Sequence, residues 1–359
     1  MKIAAVVGAR PNFVKIAPIM AELRLYPEFE VQLIHTGQHY DQNMSDAFFQ
    51  DLGIPEPDVN LNVGSATAAL QTAEIMLRLV PVLTSERPDL VMVVGDVNST
   101  LAAALVAVKM DIPVAHVEAG LRSFDRGMPE EINRMLTDAV ADVCFTTEPA
   151  AEANLLREGI APDRIHHVGN VMIDTLFRCR ERAAASTILD RLRLTAGGFA
   201  VLTLHRPSNV DDPDTFRQIM TAVTGIAAVA PVVFPVHPRT RQRLEQSPTA
   251  AGLLLVEPLP YVDFIQLMSQ SVCVLTDSGG IQEETTVLGV PCLTLRTTTE
   301  RPITATIGTN RIVGLDPGCI AAAWNEIREA RWPAGQLPEL WDGKAASRIV
   351  KVLLDRLRG

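Results

Sequence analysis

The sequence predicts an α/β protein made of two Rossmann-type domains, each a doubly wound parallel sheet, facing one another across a cleft. Three observations lead there. Short runs rich in Val, Ile and Ala alternate with longer amphipathic stretches, the pattern of βα units on a sheet covered on both faces. The 359 residues exceed what one hydrophobic core usually organises, so two domains are expected. The halves also open alike, because "IAAVVGARPNF" and "AVLTLHRPSNV" each run a strand into an Arg-Pro loop.

Taken in order, the apolar runs predict strands at 2–7, 31–36, 90–95, 113–117 and 143–147, then at 199–204, 232–236, 253–256, 271–276 and 291–295. The first domain is read as residues 1–170 and the second as 199–340. Between them, 171–198 is charged, helix-compatible and closed by Gly197 and Gly198, and reads as the connection. The final helix, 341–357, is expected to cross back onto the first domain, as in GT-B proteins.

Composition narrows the function. With 47% hydrophobic and 21% charged residues the chain is that of an ordinary folded protein, and its net charge of −10 disfavours nonspecific binding to nucleic acid or to an anionic membrane. Any anionic ligand must be held by local donors. The five cysteines show no metal-ligand spacing and read as buried small hydrophobes in a reducing compartment. No apolar run reaches membrane-spanning length, and "KIAAVVG" is too short for a signal segment, so the expected location is the cytoplasm.

Ligands of doubly wound sheets bind beyond the carboxyl ends of the strands, and that is where the unusual polar residues fall. They are Arg10 and Lys15 after the first strand, Gln38 and His39 after the second, Asp96 in "VVGDVNST" and Glu118 in "VAHVEAGLRS". The second half adds His205, His237 in "FPVHPRTR", and the loop "TDSGG". Taken singly, Asp96 also suits a helix cap, Lys15 a solvated helix face, His39 a surface loop and His205 a structural role. Glu118 ends an apolar strand, where desolvation raises a carboxyl pKa toward the range useful for proton transfer, although an ion pair with Arg122 is the competing reading. In "MPEEINR" Glu130 and Glu131 occupy a first helical turn, with Arg134 four residues after Glu130 and so on its face. Ser278, Gly279 and Gly280 place donors at a helix N-terminus suited to a diphosphate, and Glu283 is positioned to cap that helix. Neither a dinucleotide fingerprint nor a P-loop is present, and no metal cluster stands out, so the chemistry should rest on acids, bases and cations without a cofactor.

The ordered set "GARPNFVKIAP", "HTGQHYD", "VVGDVNSTLA", "VAHVEAGLRS", "MPEEINR", "GNVMIDTL", "LTLHRP", "PVHP", "LTDSGGIQEE" and "TTERPIT" resembles the non-hydrolysing UDP-N-acetylglucosamine 2-epimerases, from residue 2 to about 314. That resemblance implies a GT-B-like pair of Rossmann-type domains with UDP held by the second, a homodimer, no cofactor, and interconversion of UDP-N-acetylglucosamine and UDP-N-acetylmannosamine. By it, Asp96, Glu118 and Glu130 match catalytic carboxylates, and His205 the histidine at UDP departure and return. Arg10, Lys15 and Arg134 match residues near diphosphate or sugar. Phe264 matches the aromatic that stacks on uracil, with core packing as its plain alternative, and Glu284 the ribose ligand. Ser278, Gly279, Gly280, His237 and Arg311 complete the implied substrate site. Regulated members bind a second UDP-N-acetylglucosamine through a glutamine of the "QH" loop, an arginine in the next segment and the "PVH" histidine. Gln38, beside His39, and His237 are present, but "LNVGSATAALQTAEIM" holds no arginine. A closing cleft hinged at 171–198 is expected as well. A hydrolysing relative releasing N-acetylmannosamine and UDP, and a GT-B glycosyltransferase or UDP-sugar-binding protein, are the alternatives, and oxidised or di-acetamido UDP-sugars are further substrates.

Overall fold

The computed structural model describes residues 1–38, 53–236, 240–241, 244 and 250–358. His39 and His237 lie outside these described residues. Two compact units are present: Met1–Arg178 with Glu339–Gly359, and Cys179–Pro338. The segment 171–198 is therefore divided, its first residues belonging to the first unit and the remainder to the second.

Unit 1 is built on a seven-stranded parallel sheet: β1 Lys2–Val7, β2 Glu30–His35, β3 Val59–Asn60, β4 Leu90–Val94, β5 Val114–Ala119, β6 Val143–Thr146 and β7 Ile165–His167. The spatial order is β3-β2-β1-β4-β5-β6-β7, so the direction of winding reverses between β1 and β4. Every residue of β4, "LVMVV", is buried, as a central strand with helices on both faces requires. At about 1.5–3 kcal/mol per fully buried aliphatic side chain, such a strand has one stable place, the sheet interior. The C-terminal helix Ala345–Arg358 belongs to this unit and packs against the helix Arg10–Leu23.

Unit 2 carries a six-stranded parallel sheet: β8 Ala200–Thr203, β9 Val232–Pro235, β10 Leu253–Val256, β11 Cys273–Thr276, β12 Cys292–Thr294 and β13 Asn310–Ile312. Its order, β10-β9-β8-β11-β12-β13, reverses between β8 and β11. Around β8, Ala200 and Leu202 join one apolar cluster while Phe199 and Val201 join another. That alternation is the period of two of a strand buried on both faces. The edge strands β3, β7 and β13, of two or three residues each, are elements the sequence reading did not anticipate. Cys144, Cys179, Cys273 and Cys292 are buried and Cys319 is exposed, none of them in a disulfide. Among the described residues no helix is long and apolar enough to cross a membrane.

Candidate active site

A reversal of strand order opens a crevice at the carboxyl ends of the two strands that flank it. In unit 1 those strands are β1 and β4, and in unit 2 they are β8 and β11. Arg10 opens the helix that follows β1, Asp96 follows β4, His205 follows β8, and Ser278 follows β11.

In unit 1, Lys15 and Glu118 form an ion pair with both side chains nearly fully buried. Glu118 takes a left-handed φ of 73°, and the β5–β6 register shifts between Val117 and Ala119. A non-glycine residue held there costs on the order of 1–3 kcal/mol, and a bulge of this kind re-aims the side chain. Glycine is required at 95, whose φ is 68° and where an added Cβ would lie 3.0 Å from Lys15 Nζ. The Asn12 amide holds the crevice walls together, accepting from the Gly8 and Ala9 amides and donating to the Val94 carbonyl. The competing reading, Glu118 paired with Arg122, does not hold: Arg122 lies against Asp138 and Glu158, and Glu118 against Lys15.

Asp96, whose side chain is 23% exposed, pairs with Arg134, which is buried. Asn133 donates to the Asp96 carbonyl at 2.9 Å. The second contact of Arg134 is Glu131, at 2.6 Å, rather than Glu130. Residues three apart on a helix are neighbours as much as residues four apart, and Glu131 is the one that faces inward. Glu131 also accepts from the Ser123 and Phe124 amides, so it ties the loop after β5 to the helix Pro129–Val140. Burial alone would raise its pKa, but these donors and Arg134 hold it below the ordinary carboxylate range. Glu130 is half-exposed in the same first turn. Gln38 is buried, its side-chain oxygen accepting from the Ser99 amide and hydroxyl at the start of the helix Asn98–Lys109.

In unit 2, His205 exposes 61% of its side chain and places Nδ1 2.7 Å from Asp277, which is wholly buried. Asp277 also faces the His205 and Arg206 amides and the Asn209 side chain. Burial opposes its charge, yet His205 and those amides hold its carboxyl below the ordinary range. An ionised acceptor at Nδ1 fixes the tautomer and leaves Nε2 as the nitrogen free to exchange a proton.

The helix Gly279–Leu288 starts at the "SGG" turn, with Ser278 as its N-cap and no side-chain cap bond. Glu283 does not cap that helix; it is fully buried and pairs with Arg301 at 2.8 Å. Arg301 in turn meets Glu300, which also holds Arg296. At Gly279 an added Cβ would lie 2.7 Å from both the Arg301 guanidinium and Glu300, so a larger residue there would have to displace this network. Glu284 is buried, accepts from the Tyr261 hydroxyl at 2.6 Å, and has its pKa pushed up to about 7, chiefly by burial and then by the charge of Glu283.

Phe264 is half-buried and packs against an apolar cluster that includes Leu267 and Met268. Arg311 lies on the edge strand β13, stacks 4.0 Å over Trp332 and pairs with Glu326. It lines a cavity of about 450 Å³ with Gly308, Thr309, Trp332 and Gln336, and no carboxylate or histidine faces that cavity. The sequence does not single out Asp277 or Tyr261, whose partners His205 and Glu284 are distant in the chain, and it places Glu131 in a first helical turn without showing that it, rather than Glu130, meets Arg134.

Fold and site define a GT-B-like α/β protein with carboxylates and cations at one sheet's switch point and a histidine and a glycine turn opening a helix at the other. Residues 21–354 match the family model described as UDP-N-acetylglucosamine 2-epimerase. UDP-N-acetylglucosamine 2-epimerase of Methanocaldococcus jannaschii is 39% identical over 98% of this chain and 99% of its own. UDP-2,3-diacetamido-2,3-dideoxy-D-glucuronate 2-epimerase of Pseudomonas aeruginosa is 40% identical with the same coverage. The crystal structure of the M. jannaschii UDP-GlcNAc 2-epimerase in complex with UDP-GlcNAc and UDP superimposes with a TM-score of 0.92, over 99% of this chain and 100% of that one. The chain belongs to the UDP-N-acetylglucosamine 2-epimerase family.

Proposed function

We propose that the protein epimerises carbon 2 of UDP-N-acetylglucosamine, giving UDP-N-acetylmannosamine, by eliminating UDP and adding it back. The observation that carries this reading is the pair Asp96 and Glu118, which follow or end the adjacent strands β4 and β5, each against a buried cation. The carbon-2 proton has no neighbouring carbonyl to acidify it, so removing it alone is slow. In the elimination a carboxylate takes that proton, the C1–O bond breaks with its electron pair leaving on the diphosphate, and a 2-acetamidoglucal forms. UDP oxygen then returns to carbon 1 while an acid delivers a proton to the opposite face of carbon 2.

Asp96, Glu118 and Glu130 serve jointly as base and acid, and Lys15 and Arg134, paired with Glu118 and Asp96, offset phosphate charge. In unit 2, the Gly279 and Gly280 amides and Ser278 hold the diphosphate, and Glu284 takes the ribose hydroxyls in place of Tyr261. His205, oriented by Asp277, balances charge or donates a proton as UDP departs and returns. Phe264 stacks on uracil. The P. aeruginosa relative supports a second substrate, a di-acetamido UDP-uronate, for which the same elimination serves. Metabolically, the reading fits a cytoplasmic enzyme supplying cell-surface polysaccharide.

Incubation with UDP-N-acetylglucosamine in heavy water should place deuterium at carbon 2 of both epimers. Unlabelled nucleotide sugar from an active enzyme would rule out the elimination, and free UDP accumulating in step with N-acetylmannosamine would select the hydrolysing alternative. Glu118→Gln should lower turnover by roughly 10²–10⁴-fold while UDP still binds, which calorimetry would check.

A further inference from the structure

His116 sits on β5, two residues before Glu118, and is wholly buried. Its Nδ1 lies 2.6 Å from Asp138 Oδ1, and its Nε2 lies 2.8 Å from the Gly95 carbonyl oxygen. Both neighbours are acceptors. A neutral imidazole carries one N–H, so one of these contacts would set a ring lone pair against an oxygen lone pair in a site without access to water.

Moving the proton to Asp138 would also satisfy both contacts, but it would protonate a carboxylate that has donors of its own. Its other oxygen accepts from the Gly120 amide at 3.1 Å and faces the Arg122 guanidinium at 2.7 Å. Burial alone would raise the Asp138 pKa, but His116 and Arg122 hold it below the ordinary carboxylate range. The remaining titratable neighbours agree. Arg122 continues to Glu158, and Cys144, opposite His116 on β6, is kept a neutral thiol by burial that pushes its pKa to about 12. With His116 charged, His116, Asp138, Arg122 and Glu158 sum to zero, whereas a neutral imidazole would leave one negative charge in excess.

The pair also stands where three functional elements meet. Through Gly95 it holds the peptide before Asp96, through Gly120 the turn just after Glu118, and through Asp138 the helix that carries Glu130, Glu131 and Arg134. Both glycines have left-handed φ values, 68° and 81°, and an added Cβ at Gly120 would lie 2.4 Å from the Ala151 carbonyl, so neither peptide can be turned freely. We propose that His116 is a positioning residue, held as an imidazolium between Asp138 and the Gly95 carbonyl, that sets the spacing of Asp96 and Glu118 for proton transfer. The kinetic part of this inference rests on the epimerase reading, whereas the protonation state does not.

Two measurements test it. In protein labelled with ¹⁵N-histidine, one of the seven histidines should show both ring nitrogens protonated at pH 8, with N–H protons that exchange slowly with solvent. A His116→Gln variant can donate to only one of the two acceptors and should lose roughly 10- to 100-fold in kcat for the epimerisation, with KM and UDP affinity within about twofold of the parent. Should no slowly exchanging doubly protonated histidine appear, or should the folded variant keep its kcat within about twofold, the inference falls. The spectrum of the unmutated protein decides the protonation state even if the variant does not fold or the substrate is a different UDP-sugar.

Discussion

Glu284 shows how one residue's burial can cost the folded protein stability. Its carboxyl is raised from 4.5 to about 7, so below pH 4.5 the folded and unfolded chains are protonated alike. As pH climbs through 7 the folded chain must ionise a buried acid that the unfolded chain ionised earlier, and stability is lost across that window. At about 1.4 kcal/mol per pH unit the loss is on the order of 3 kcal/mol. Glu284→Gln should therefore raise the melting temperature at pH 8, change it little at pH 4.5, and weaken UDP binding, all measurable by thermal melts with and without UDP. A variant no more stable at pH 8 than its parent would refute the buried-acid account. Asp277 makes the opposite case, a carboxylate kept charged so that His205 presents one defined nitrogen. Asp277→Asn should lower turnover by at least about 10-fold, and a shifted pH–rate profile would separate lost orientation from lost folding.

At the scale of elements, the helix Ala345–Arg358 depends on a cap supplied from far away in sequence. Asp174 accepts from the Ala345 and Ala346 amides at 3.0 and 2.7 Å, and Thr175 donates to the Val14 carbonyl at 2.6 Å. The same short stretch thus fastens both the terminal helix and the helix that carries Lys15. Asp174→Ala should cost about 1 kcal/mol and speed amide exchange in 345–358 more than in the β4–β5 core; equal exchange in both regions would deny the cap its role. The stretch's own sequence, "GNVMIDTL", shows a helix with an acid in its first turn but not whose amides that acid will accept. Legibility divided along the same line. Central strands such as β4 and β8 announce themselves by continuous apolar runs, whereas β3, β7 and β13 are too short to show a period and form because a neighbouring strand offers an edge. Residues that follow long strands, Asp96 and His205 among them, could be placed by topology alone. Asp277, the partner of His205, could not, because an ion pair between distant segments leaves no local spacing, and the inward choice of Glu131 over Glu130 as a contact of Arg134 depends on how one helix packs.

For the whole molecule, the open question is what covers the helix Ala68–Glu86. Leu70, Leu77 and Val80 stand seven and three residues apart, so they share one face, and they are 66%, 71% and 44% exposed. Single exposed leucines are ordinary, but three large aliphatic side chains on one helical stripe are the kind of surface that seeks a partner. Each contributes about 1.5–3 kcal/mol when fully buried, which favours covering the stripe. A second copy of this chain is the occupant we expect, since a stripe lying on itself across a two-fold axis is self-complementary. Light scattering should then give the parent protein the mass of two chains and Leu77→Glu the mass of one. If the parent already has the mass of one chain, the stripe is not a dimer interface. If Leu77→Glu dimerises as well as the parent, the two chains meet elsewhere.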